Sequence, residues 1–130
     1  MSKSTAAGND VLNQHFGKTT AITYPITPYM RLYTTLPNDD GTGGVEVSGA
    51  GYSPQAIASK FPQASGKSIS NNADITFGTA TAGWGNVIGA AIWTASSGGT
   101  MLRKGSITLI NITTGQPAVL PTGGWTSTEP

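Results

Sequence analysis

No cysteine occurs in the 130 residues, there is a single histidine, and only 10% of the side chains carry charge. Each shortage excludes something. Without cysteine there are no disulfides and no thiolate metal ligands, so stability has to come from a packed core. The one histidine, His15, leaves a Ser-His triad no choice of base. It sits beside Phe16 on a predicted helix and reads as a packing residue. An ordinary globular chain is about 25% charged, and this one has a formal net charge of +1. Its seven basic residues (Lys3, Lys18, Arg31, Lys60, Lys67, Arg103, Lys104) are scattered, with only Arg103 and Lys104 adjacent. That pattern offers no electrostatic footprint for nucleic acid or anionic lipid, which are held by clustered Lys and Arg. No apolar run approaches the roughly 18 residues of a membrane helix. Residues 1–7 lack the apolar stretch of a signal peptide, so the chain is expected to be made and kept in a cytoplasm, or released from one by lysis.

What is present is glycine (18), proline (8) and many neutral hydroxyls and amides. A surface of Thr, Ser, Asn and Gly is cheaper to desolvate than one of ions, which suits a protein packed against neighbours. The length fits one domain. One helix is predicted, over residues 11–16, with Asn9 or Asp10 as N-cap, Gly17 as the stop, and Val11, Leu12, His15 and Phe16 on one stripe facing a sheet. The rest reads as short strands between turns. Strands are expected at 29–34, 45–47, 52–58 (an edge, because Pro54 cannot donate), 72–77, 86–93, 101–103, 107–112 and 117–121. Residues 36–44 form a turn-rich loop, and Ser96-Ser97-Gly98-Gly99 supplies a hairpin turn. Turns every 8–15 residues or so give the rhythm of an all-β fold, a β-sandwich or jelly roll with one short N-terminal helix. The predicted core is Leu32, Ile57, Ile75, Phe77, Val87, Ile92, Trp93, Leu102, Ile107 and Leu109.

Three constellations invite a chemical reading, and each fails on context. Ser65-Gly66-Lys67-Ser68 ends like a phosphate-binding loop, but Phe61 stands where the first glycine belongs and no helix follows. A solvated loop between strands is expected. Asn38-Asp39-Asp40-Gly41-Thr42 begins like a calcium loop, yet its twelfth residue is Gly49 instead of Glu. A looser site from Asp39, Asp40 and Glu46 stays open, and a polar turn is the better reading. Asp10, Asp74 and Glu129 are isolated, so nothing nominates the facing pair that a glycosidase needs. No catalytic residue, cofactor site or metal site is assigned, and the chain is expected not to be an enzyme. Among the aromatics, Tyr33 and Trp93 belong to strand patterns and to the core, whereas Trp84 (between Gly83 and Gly85) and Trp125 are the candidates for an interface.

Three stretches together resemble a known family. They are Tyr29-Met30-Arg31-Leu32-Tyr33-Thr34-Thr35-Leu36-Pro37 with the run from Asp39 to Tyr52, then Asn72-Ala73-Asp74-Ile75-Thr76-Phe77 leading to Gly83-Trp84-Gly85, then the run from Ile92 to Leu102. Their order is similar to that of small tailed-phage virion proteins, usually labelled tail fibre proteins. The resemblance spans about residues 9–112. It departs at Ser53-Pro54, where an Arg commonly follows the Tyr, and after Ile112.

The resemblance implies a structural role in a bacteriophage virion assembled in the host bacterial cytoplasm. Implied partners are other virion proteins, either the major capsid protein or tail and baseplate proteins, and further copies of the chain, often as trimers. The absence of repeats and of a long coiled coil leans towards a subunit that decorates or cements the capsid. A tail fibre or baseplate component is the second possibility, and a carbohydrate-binding module the third. The expected organisation is an N-terminal arm (1–8), a β-sandwich domain (9–115) and a C-terminal arm (116–130), with both arms lying across neighbouring subunits and Trp125 as the apolar anchor.

Overall fold

A computed structural model describes residues 1–18, 27–108 and 114–129. In chain order these form β1 (Ser2–Lys3), α1 (Thr5–His15), β2 (Tyr29–Thr35), β3 (Val45–Glu46), β4 (Gln55–Ala56), β5 (Ser68–Ser70), β6 (Ile75–Thr79), β7 (Gly89–Trp93), β8 (Met101–Ser106), β9 (Pro117–Leu120) and β10 (Thr126–Thr128). The order β1-β8-β7-β2-β3 makes an antiparallel sheet, and β4 joins β2 on the edge it shares with β3, giving six strands. Two antiparallel ribbons, β5–β10 and β6–β9, complete the strands. The all-β expectation with one short helix holds at this level.

Alternation along the central strands divides the sheet into two faces. Met30 and Leu32 of β2 and Ala90 of β7 belong to the main core, where they meet Ile75 and Phe77 of β6 and Ala118 and Leu120 of β9. Their neighbours Tyr33 and Ala91, with Met101 of β8, form a smaller cluster on the opposite face together with Leu36 and Trp93. Both faces of β2 and β7 are therefore covered. This explains a run such as Gly89-Ala90-Ala91, where small residues let other groups approach closely. Leu32, Ile57, Ile75, Phe77 and Ile107 are buried as predicted. Val87, Ile92, Trp93 and Leu102 are only partly covered. Leu109 lies outside the described residues, as does most of the strand expected at 107–112.

The helix starts earlier than predicted and packs differently. Ser4, not Asn9 or Asp10, is the N-cap, its Oγ accepting the Ala7 N–H at 3.0 Å. Ser4 is itself fixed, because its N–H donates to Leu102 O at 2.8 Å while that of Thr5 donates to Asp39 O at 2.8 Å. The stop is at Gly17, φ +71°. The Gly17 N–H bonds Gln14 O at 3.2 Å and that of Lys18 bonds Asn13 O at 2.7 Å, which closes the last turn's free carbonyls. Of the helix only Ala7 is buried. The expected stripe does not reach the sheet: Leu12 is 56% and Phe16 75% exposed.

Both expected arms are part of the domain. Residues 1–8 supply β1, which edges the sheet against β8, and the first turn of α1. Residues 116–129 supply β9 and β10, whose partners β6 and β5 lie far earlier in the chain. The physical reason is a period-two pattern that the Thr/Gly-rich composition conceals. Ala118, Leu120, Trp125 and Ser127 are buried, whereas Pro117, Thr126 and Thr128 face outward and Val119 is half-buried.

Asn71 ties this return to the core. Its Oδ1 accepts the Trp125 N–H at 2.9 Å, and its Nδ2 donates to Ala73 O and Pro121 O, both at 2.9 Å. All three side-chain contacts are made by a residue that is 2% exposed.

Candidate interface

The two tryptophans proposed for an interface are both internal. Trp125 is 0% exposed and heads the fully buried side chains, its Nε1 donating to Ser127 Oγ at 2.8 Å. Trp84 is 5% exposed. Its indole lies over Gly49, where any Cβ would collide with the ring, and its Nε1 donates to Ala50 O at 2.9 Å. Tyr52 meets Trp84 edge-on, with ring centroids 5.6 Å apart. The Tyr52 hydroxyl accepts the Leu32 N–H at 3.0 Å and donates to Glu46 at 2.7 Å. Burial, and next the bond to Glu46, push that hydroxyl's pKa far up, so it stays a donor. Nearby, the backbones at Gly51 (φ +88°) and Gly78 (φ +104°) pack closely, so that a Cβ on Gly51 would strike Thr79 O and one on Gly78 would strike Gly51 O. The residues that carry the family resemblance thus build a packing knot. Flanking glycines made Trp84 look like a free anchor, but the glycine that makes room for its ring is Gly49, on a distant stretch of the chain.

The acidic residues are dispersed. Asp39 pairs with Lys104 at 3.1 Å, and Asp40 closes its own turn by accepting from the Thr42 N–H and hydroxyl. That hydroxyl bond is the main reason the Asp40 carboxyl pKa is lowered. Glu46 is taken by Tyr52, and Asp74 accepts from Thr122. Asp39, Asp40 and Glu46 therefore serve three separate contacts. Among the described residues no three His, Asp or Glu side chains come together. Gly66 and Lys67, at φ +60° and +62°, are the centre of a two-residue hairpin turn closed by Ser65 and Ser68. The lysine is exposed there, in a loop between strands.

A buried cation holds one hairpin. Arg31 is 5% exposed, donates to Ala95 O at 2.7 Å and Gly98 O at 2.6 Å, and lies 4.2 Å over the Trp93 ring. Its stacking contact and its carbonyl partners fix the turn between β7 and β8. Burial is the leading reason that the pKa of the adjoining Tyr33 hydroxyl is raised.

Three features face outward. An open cavity of about 230 Å³ lies between the sheet and the β5–β10 ribbon, with Ile57, Phe61, Ile69, Ile92, Leu102 and Trp125 among its walls. Arg103 at its rim pairs with Glu129, which also accepts from Lys3 Nζ at 2.6 Å. The two cations hold the Glu129 carboxyl down at a pKa of about 2, Lys3 contributing most. The third feature is the pair Leu12 and Phe16, one helical turn apart. None of the three was singled out from the sequence. The cavity is lined from six separate segments, and Phe16 was assigned to the interior because its helix was assumed to lie flat.

An antiparallel β domain with an apolar cavity and an apolar helix end facing outward offers surface for packing against neighbours. The chain belongs to the family described as Podophage GP4 fiber I protein gp80, whose model matches residues 2–128. It is therefore a structural protein of the tailed-phage virion. No curated protein matches it.

Proposed function

We propose that the protein is a non-enzymatic surface subunit that decorates or cements the capsid of its phage, assembling there after synthesis in the bacterial cytoplasm. The observation that carries this is the match over residues 2–128 to a virion protein family, on a chain whose described residues hold one 11-residue helix and no shaft-forming element. A domain without a shaft of its own fits a seat on a lattice better than a spike. Its partners are the major capsid protein and further copies of itself, a trimer at lattice junctions being the simplest arrangement. A low charge, scattered along the chain, argues against nucleic acid or membrane as partners. The family's own description, a fiber protein, supplies the second reading, a component of the tail fibre or baseplate. A sugar-binding module would need aromatic faces gathered at the surface. Of the described aromatics only Phe16 is classed as exposed. Quantitative mass spectrometry of purified particles separates the readings. A copy number in step with the major capsid protein supports decoration, and a small multiple of the tail's rotational symmetry supports the fibre or baseplate.

A further inference from the structure

The molecule carries an apolar projection and an apolar hole that do not meet within one chain. Phe16 ends α1 with 75% of its surface in water, and Leu12 beside it is 56% exposed. Large apolar side chains left out singly are ordinary, but two on adjacent turns of a helix docked only by its first half form a knob. The hole is the 230 Å³ cavity, with Phe61, Ile69 and Trp125 among its lining residues. An apolar cavity of about 150 Å³ accepts a benzene ring, so this one has room for the ring of a phenylalanine. Its walls are almost wholly carbon, with Arg103 and Ser127 as the polar lining residues. Arg103 is held by Glu129 and the Ser127 hydroxyl by the Trp125 indole. A polar guest would therefore find few free partners, whereas an aromatic or aliphatic side chain leaves none of its own groups unsatisfied.

We propose that Phe16 of one copy seats in the Trp125 cavity of another, with Leu12 packing on the rim, so that each chain supplies both halves of a self-contact. A net charge of +1 sets little repulsion against the approach of like copies. One buried ring covers about 150–250 Å², well under the roughly 800 Å² per partner of a stable interface. The contact is accordingly weak between free copies and gains strength where many copies are held side by side. It is a property of the purified protein and does not depend on where in the virion the protein sits.

The test is sedimentation equilibrium of the full chain over a wide concentration range. Wild type is expected to self-associate reversibly, and Phe16→Ser, at an exposed site, to raise the dissociation constant about thirty-fold, a hot-spot loss. Ala58→Phe, which fills the cavity from an exposed position on its wall, is expected to do the same. Mixing the two variants should restore an association that neither shows alone, because one retains the hole and the other the knob. Should Ala58→Phe disturb the fold, the Trp125 Nε1–H resonance gives an independent reading. It should shift with concentration in wild type and stay fixed in Phe16→Ser. A wild type that remains monomeric throughout, an association indifferent to Phe16→Ser, or a Trp125 resonance that ignores concentration overturns the proposal.

Discussion

Replacing Trp125 by alanine should unfold much of what holds the chain together, although the residue sits five positions from the end of a Gly/Thr-rich tail. The side chain is fully buried and lies in the main core with Phe77, Ile75 and Leu120. Truncating a buried Trp costs about 3–5 kcal/mol. The Asn71 side chain that bonds the Trp125 backbone would also lose its fixed partner as the strand loosens. A chain of this length is stable by only about 5–15 kcal/mol. At roughly 4 °C per kcal/mol for a domain of this size, the melting temperature should fall by about 12–20 °C. Trp125→Phe separates the contributions: it keeps most of the apolar volume and loses the bond to Ser127, so it should cost no more than about half as much. Thermal melts followed by near-ultraviolet circular dichroism are the assay. A Trp125→Ala melt within about 3 °C of wild type would refute the burial of Trp125 and return the segment to the status of a free arm.

Other consequences follow from single contacts. Lys67 occupies the second left-handed position of a hairpin turn that glycine fills more readily, so Lys67→Gly should stabilise by about 0.5–1 kcal/mol. A lowered melting temperature would contradict that turn. Gly78→Ala places a Cβ against the Gly51 carbonyl at φ +104° and should cost about 3 kcal/mol or prevent folding, read by urea titration. The Glu129 carboxyl has a lowered folded pKa, so its contribution is complete above a pH of about 4.5 and drains away as pH falls towards about 2. Because 39% of its side chain is exposed, that contribution is at most about 1 kcal/mol. Glu129→Gln should melt lower than wild type at pH 7, with the gap closing near pH 2. A gap that persists at pH 2 would mean that the ion triad is not its source.

The strand-rich half of the fold was legible because central strands carry their own signal. Tyr29–Thr35 and Gly89–Trp93 are buried on both faces, and their apolar character survives without alternation. Ser2–Lys3, Ser68–Ser70 and Thr126–Thr128 were not legible, since runs of two or three mostly polar residues become a strand only when a distant partner pairs with them. The C-terminal segment was misjudged for the same reason. Its anchor is Asn71, a polar residue in a loop, and nothing local distinguishes that asparagine from Asn72 beside it. The helix was placed too late because Asn9 and Asp10 are good caps in isolation, whereas Ser4 is held by contacts to Leu102 and Asp39 far along the chain. Of the outward features, the Trp125 cavity is a product of tertiary packing alone, while Leu12 and Phe16 were visible in the sequence but were assigned to the wrong side.

The proposal that this chain is a capsid-decorating subunit meets its most direct test in an image reconstruction of the intact particle. The six-stranded sheet with its two ribbons should fit density on the outer capsid surface, repeated across the lattice and touching the major capsid protein. Density for this domain confined to the tail, or missing from the particle altogether, would contradict it.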